Sequence, residues 1–153
     1  MDINLFDCGL LELAGNDALY MKSRYTGEPV YTSFHLGNLW GESPDFANHQ
    51  SSLNHFQMHM GKDGVQRWVV AHRDPGVQNW LDTTGLPRGY LSHRWAYSSL
   101  PPEQDWPTIS ARKIPFDNIR EQFPADMPRL TQEQRREIIR MRQLHVQRRY
   151  RVF

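Results

Sequence analysis

Histidine is the residue most suited to chemistry in this 153-residue chain: there are seven, and His55 and His59 stand four apart. On a helix that spacing suits a shared metal ion. Residues 53–60 alternate instead, with Phe56, Met58 and Met60 on one face and His55, Gln57 and His59 on the other. On a strand the two imidazoles are about 13 Å apart, at roughly 3.3 Å per residue, too far for one ion. The run Gly61-Lys62-Asp63-Gly64 offers another pairing, because Asp-Gly supplies the positive φ of a tight hairpin. A two-residue turn at Lys62-Asp63 sets Met60 against Val65 and Leu53 against His72, with His55 diagonal to His72. Diagonal neighbours are about 7–8 Å apart, so these two imidazoles converge on one ligand. A bulge at Gly64 would shift that register. No third ligand has convergent spacing, so neither a metal nor a cofactor is expected.

A second set of polar groups lies in and around the long loop from Asp74 to Pro87. Trp80 offers an apolar wall, and Asn79, Asp82 and Arg94 offer polar contacts. Glu42, in a preceding loop, is placed to join them. A carboxylate beside an arginine stays ionised, so an Asp82–Arg94 pair reads as a brace rather than an acid/base couple. Glu42 becomes a proton carrier only if it is desolvated. The structural alternative has Trp80 and Leu81 plugging one end of the domain while the polar side chains bond loop amides. No Gly-x-Ser-x-Gly elbow and no glycine-rich phosphate loop occurs, and Cys8 near the terminus reads as inert.

The elements that must position these groups are short. Period-two runs over 18–24, 30–36, 53–60, 65–72, 88–97 and 108–114 predict strands, punctuated by Gly and Pro. No helical segment separates them, so antiparallel pairing is expected. The fold class predicted is mainly β: an antiparallel jelly-roll β-sandwich with a C-terminal α-helix, a Greek-key barrel being the alternative. The length suits one domain, 1–153, with the sandwich over about 18–114 and a helical extension over 115–153. Asp117 caps a short helix through Phe123, and Thr131 with Gln134 forms a capping box for a longer one. Ile138, Ile139, Met141, Leu144, Val146 and Tyr150 give that helix an apolar side, so it should dock on the sheet with its arginines in water.

Composition narrows the class of partner. Hydrophobic residues are 39%, aromatic residues 12%, and the net charge is +1, a globular composition with no overall pull toward nucleic acid. Residues 131–153 hold seven arginines against Glu133 and Glu137, while the remainder carries 11 basic and 15 acidic residues. No stretch approaches the roughly 20 apolar residues of a membrane span, and the N-terminus lacks the basic region of a secretory signal. A single cysteine fits a reducing compartment, so a soluble cytoplasmic protein is expected.

One stretch is distinctive: Asp74-Pro75-Gly76-Val77-Gln78-Asn79-Trp80-Leu81-Asp82-Thr83-Thr84-Gly85, continuing through Gly89 to Arg94-Trp95. With Leu39-Trp40-Gly41-Glu42-Ser43-Pro44-Asp45-Phe46, Ser51-Ser52-Leu53-Asn54 and Asp63-Gly64, in that order, it resembles the domain of unknown function 1214 family of bacterial proteins. The resemblance covers roughly residues 30–97. It implies a jelly-roll domain that in many relatives follows a second sandwich domain, and this chain resembles the C-terminal one alone. It implies no catalytic residues. Three functions follow as expectations. The first is a binding sandwich or accessory module for a small organic or carbohydrate ligand. The second is a hydrolase or isomerase using Glu42, Asp82, Arg94 and a histidine around a Trp-lined pocket. The third is a structural protein that self-assembles through sheet edges and the arginine-rich helix, as a homo-oligomer or with a partner domain.

Overall fold

The computed structural model describes residues 3–150. Eight strands form two sheets: β1 (Ile3–Glu12), β2 (Asp17–Arg24), β3 (Tyr31–Gly37), β4 (Ser52–Asn54), β5 (Gln66–Ala71), β6 (Trp80–Asp82), β7 (Arg88–Tyr97) and β8 (Thr108–Pro115). The first sheet has the order β1-β7-β3-β4 and the second β6-β5-β2-β8. All pairings are antiparallel except β5 with β6, which run parallel over three residues. The architecture is the expected mainly-β sandwich closed by a C-terminal helix.

Strand alternation builds the core. On the first sheet Leu11, Phe34, Leu36, Leu53 and Leu91 point inward, and they meet Met21, Trp68, Val70 and Leu81 of the second. The opposite face of the second sheet is also apolar, with Ala18, Tyr20, Val69, Ala71 and Trp80. It is covered by the segment after β8, through Ile119 of the short helix α1 (Ile119–Gln122), Phe123 and Met127. Backbone bonds from Gln78 N to Pro128 O and from Leu130 N to Gly76 O, both 3.0 Å, tie the long loop to that segment. The helix α2 (Gln132–Arg149) then begins at the predicted capping box, with Thr131 and Gln134 bonded reciprocally.

Four elements depart from the sequence reading. Residues 53–60 are not one strand, because β4 ends at Asn54, whose Oδ1 accepts from the amides of Phe56 and Gln57 and turns the chain away. The Gly61–Gly64 turn is present, but Met60 bridges Gln66 rather than Val65, the shift expected of a bulge with Gly64 at φ +70°. Two strands have no counterpart in the period-two pattern: β1, and β6 inside the long loop.

Two neighbouring strands of the first sheet, β7 and β3, approach closely at one glycine pair. A Cβ built on Gly89 of β7 would collide with the backbone carbonyl of Gly37 in β3. Backbone cannot retreat as a side chain can, so Gly89→Ala should destabilise by about 1–2 kcal/mol through overpacking. Urea unfolding checks this; a wild-type midpoint would show that the strands separate freely there.

Candidate functional site

The structure disperses the residues singled out above. Glu42 is exposed and accepts from Asn38 Nδ2 at 2.6 Å, closing its own turn. His55 stands beside β4 on the first sheet, where its Nδ1 accepts from Thr32 N at 3.1 Å. His72 follows β5 on the second sheet; its Nε2 donates to Leu13 O at 3.1 Å and its Nδ1 accepts from Thr83 Oγ1 at 2.6 Å. The two imidazoles therefore do not converge, because the hairpin that would pair them ends at Asn54. Asn79 is fully buried and spent on backbone: it accepts from His59 N and donates to His59 O and Arg67 O.

Trp80 is 6% exposed, with Nε1 donating to Ala71 O at 3.0 Å. It faces the C-terminal layer on the outer side of the second sheet while Leu81 enters the sandwich core, so the two are buried on opposite faces of an edge strand and do not together plug one end of the domain. The Asp82–Arg94 brace is absent. Asp82 bonds His49 Nδ1 at 2.8 Å and accepts from Thr84 N. Arg94 lies on the outer face of the first sheet, donating to Asn4 Oδ1 at 2.8 Å beside Phe6. The reason is register: Arg94 pairs with Ser33 and Phe6 on the first sheet, and Asp82 pairs with Ala71 on the second. Arg94→Ala should therefore cost under about 1 kcal/mol, and its effect should add to that of Asp82→Asn within about 0.5 kcal/mol. A double-mutant cycle showing strong coupling would contradict this placement.

The cation that does meet the Trp80 ring comes from α2. Arg135 lies 4.9 Å from the ring centroid and is the buried residue of its helix. It donates to Asp74, Gln50 Oε1 and Val77 O. The expectation that the helix arginines sit in water thus fails at the docking face. Ile138, Ile139, Leu144 and Val146 are only half-buried.

Two turns further on, Arg142 donates to the carbonyls of Phe46 and Ser52 and to Ser52 Oγ. Its Nε is closed off from solvent and has no hydrogen-bond partner among the described residues. Among the described residues no carboxylate lies within 4 Å of it. Burial, together with the nearby Arg135 charge, pushes its pKa down to about 10. That direction records a cation held where its charge is poorly compensated.

Arg142 forms a common wall of two adjoining hollows between α2 and the β4 edge, about 410 and 340 Å³ in volume. Both are of the size that takes small ligands, roughly 300–1,000 Å³. The first adds His145, Arg148 and Arg149, with Phe46 as an apolar wall. The second adds Phe56, Ile138 and Met141. Its one acid, Glu137, is already paired with Arg140 at 2.6 Å. The groove is thus cationic at one end and apolar at the other. Sequence reasoning counted these arginines but could not see which were turned toward β4. Among the described residues no three His, Cys, Asp or Glu side chains gather as a metal site would require, and no helix is long and apolar enough to cross a membrane.

No family model matches this chain, and no curated protein matches it. Among solved structures it is similar to an uncharacterized protein from Burkholderia cenocepacia, with a TM-score of 0.67 and 24% sequence identity over 74% of this chain. The chain spans 30% of that protein's length, and the likeness shows a shared fold.

Proposed function

We propose that this chain is a ligand-binding sandwich module whose ligand is a small organic anion held in the groove between α2 and β4. The observation that carries the reading is Arg142, a guanidinium bonded only to neutral oxygens in a groove that also presents Arg148 and Arg149. An incoming carboxylate or phosphate would supply the missing charge, and Phe46, Phe56 and Met141 would receive an apolar body. An accessory role within a larger protein is compatible with this reading, since the similar Burkholderia chain is more than three times as long as the matched part. Assignment to the domain of unknown function 1214 family remains part of the same proposal and rests on the ordered motifs between residues 39 and 95.

Calorimetric titration with phenyl phosphate tests it, with phenol as the uncharged control. Saturable binding of the anion alone is expected. Arg142→Gln should weaken it about 10- to 100-fold, the value of a hydrogen bond to charge of roughly 1.5–3 kcal/mol. Equal binding of phenol, or no effect of Arg142→Gln in a cooperatively folding variant, would sink the proposal.

A further inference from the structure

The sandwich is closed unequally along its two sides. On one side β4 lies over β6, and α2 spans both through Arg142 on Ser52 and Arg135 on Trp80. On the other side the edge strands are β1 and β8, and a cleft of about 300 Å³ opens between them. Its walls are apolar side chains from both sheets, chiefly Leu19, Met21, Leu91 and Ile109.

Two polar groups interrupt that surface. His93 borders the cleft and is 1% exposed, stacked among Phe34, Trp68 and Trp95. Among the described residues neither of its ring nitrogens has a hydrogen-bond partner. A neutral imidazole left unbonded in a core costs about 1–3 kcal/mol per group, so two unmet nitrogens beside a cleft call for a partner. Asp7 is directly opposite His93 in the β1–β7 register, so it shares the inward face, and it is exposed at the mouth. The two do not bond one another. Among the described residues no lysine or arginine lines the cleft.

We infer that this cleft is a second binding site, for a small uncharged apolar molecule carrying a hydroxyl group. A hydroxyl is both donor and acceptor. It can accept from the N–H of His93 while donating to the Asp7 carboxylate, which closes the gap between them. An anionic head group is disfavoured by the Asp7 carboxylate at the mouth, and a cationic one would find only that exposed, hydrated carboxylate, since the apolar walls offer nothing else to replace its water. The site is separate from the arginine groove and is independent of that proposal.

The test compares p-cresol with toluene, which lacks the hydroxyl, and with benzylamine, which carries a charge. Methyl resonances of Leu19, Met21 and Ile109 are followed by NMR during titration of the full chain. Saturable shifts are expected with p-cresol, at least 10-fold tighter than with toluene and tighter than with benzylamine. His93→Phe should bring p-cresol and toluene within about twofold of each other. Because that variant alters the core, Ala111→Trp at the exposed rim of β8 gives a second readout: it should block p-cresol without loss of cooperative unfolding. Equal affinities for p-cresol and toluene, preference for benzylamine, absence of saturable shifts, or full binding in a folded Ala111→Trp variant would each overturn the inference.

Discussion

Arg135→Ala should destabilise the protein by about 3 kcal/mol, because the arginine is buried and its neutral acceptors lose a donor, while the Asp74 carboxylate left behind is partly exposed and can be solvated. The arginine is 7% exposed and donates to a carboxylate, an amide oxygen and a backbone carbonyl. Truncation leaves Asp74, Gln50 Oε1 and Val77 O without that donor and uncovers the Trp80 ring. It also unpins α2 from the long loop, since no apolar side chain of the helix is buried. At roughly 2–4 °C per kcal/mol for a chain of this size, the melting temperature should fall by about 10 °C. The matched control is Arg140→Ala, whose partner Glu137 is on the same exposed helix face, and it should shift stability by no more than about 0.5 kcal/mol. Similar losses for the two would mean that α2 is held by something other than Arg135.

Acidification should expose the second large effect. Burial among aromatic rings pushes the His93 imidazole far below its ordinary range. The folded state therefore leaves it unprotonated, while the unfolded chain takes up a proton near pH 6.5. Below that pH the unfolded state binds more protons, so stability falls as pH falls. Between pH 7 and pH 5 the loss from this one group is about 2 kcal/mol, at roughly 1.4 kcal/mol per pH unit. His35, partly buried on the outer face of the first sheet, is shifted in the same direction by desolvation, so the wild-type slope contains both. The difference in slope between wild type and His93→Phe isolates His93. Asp7 faces it from β1; if that carboxylate turned inward on acidification it would stabilise the imidazolium, and the two slopes would coincide.

The legible parts of the fold were those in which local pattern and burial agree. Strands β2, β3, β5, β7 and β8 alternate between a core face and another face, and the Thr131 capping box is a local hydrogen-bond pattern. Strand β1 was not legible because its alternation is inverted. Phe6 and Leu10 point out and are exposed, while Asp7 and Gly9 point toward the cleft. Strand β6 is three residues long and gains its place from parallel pairing with β5, a long-range contact. Among the candidate site residues, the burial of Trp80 followed from its loop, but the partners of Asp82 and Arg94 depended on which sheet each strand joined. Arg142 illustrates the same limit. In sequence it is one of seven arginines in 131–153, and only the path of residues 46–52 beneath α2 distinguishes it.

The most direct test of the anion-binding account is the arginine side-chain N–H spectrum of the protein during titration with phenyl phosphate. The account predicts saturable movement of the Arg142, Arg148 and Arg149 signals with one common affinity, while Arg136 and Arg140, which lie outside the first hollow, stay in place. Uniform, non-saturating drift of all the helix arginines would contradict it, because that is the response of a charged surface without a site.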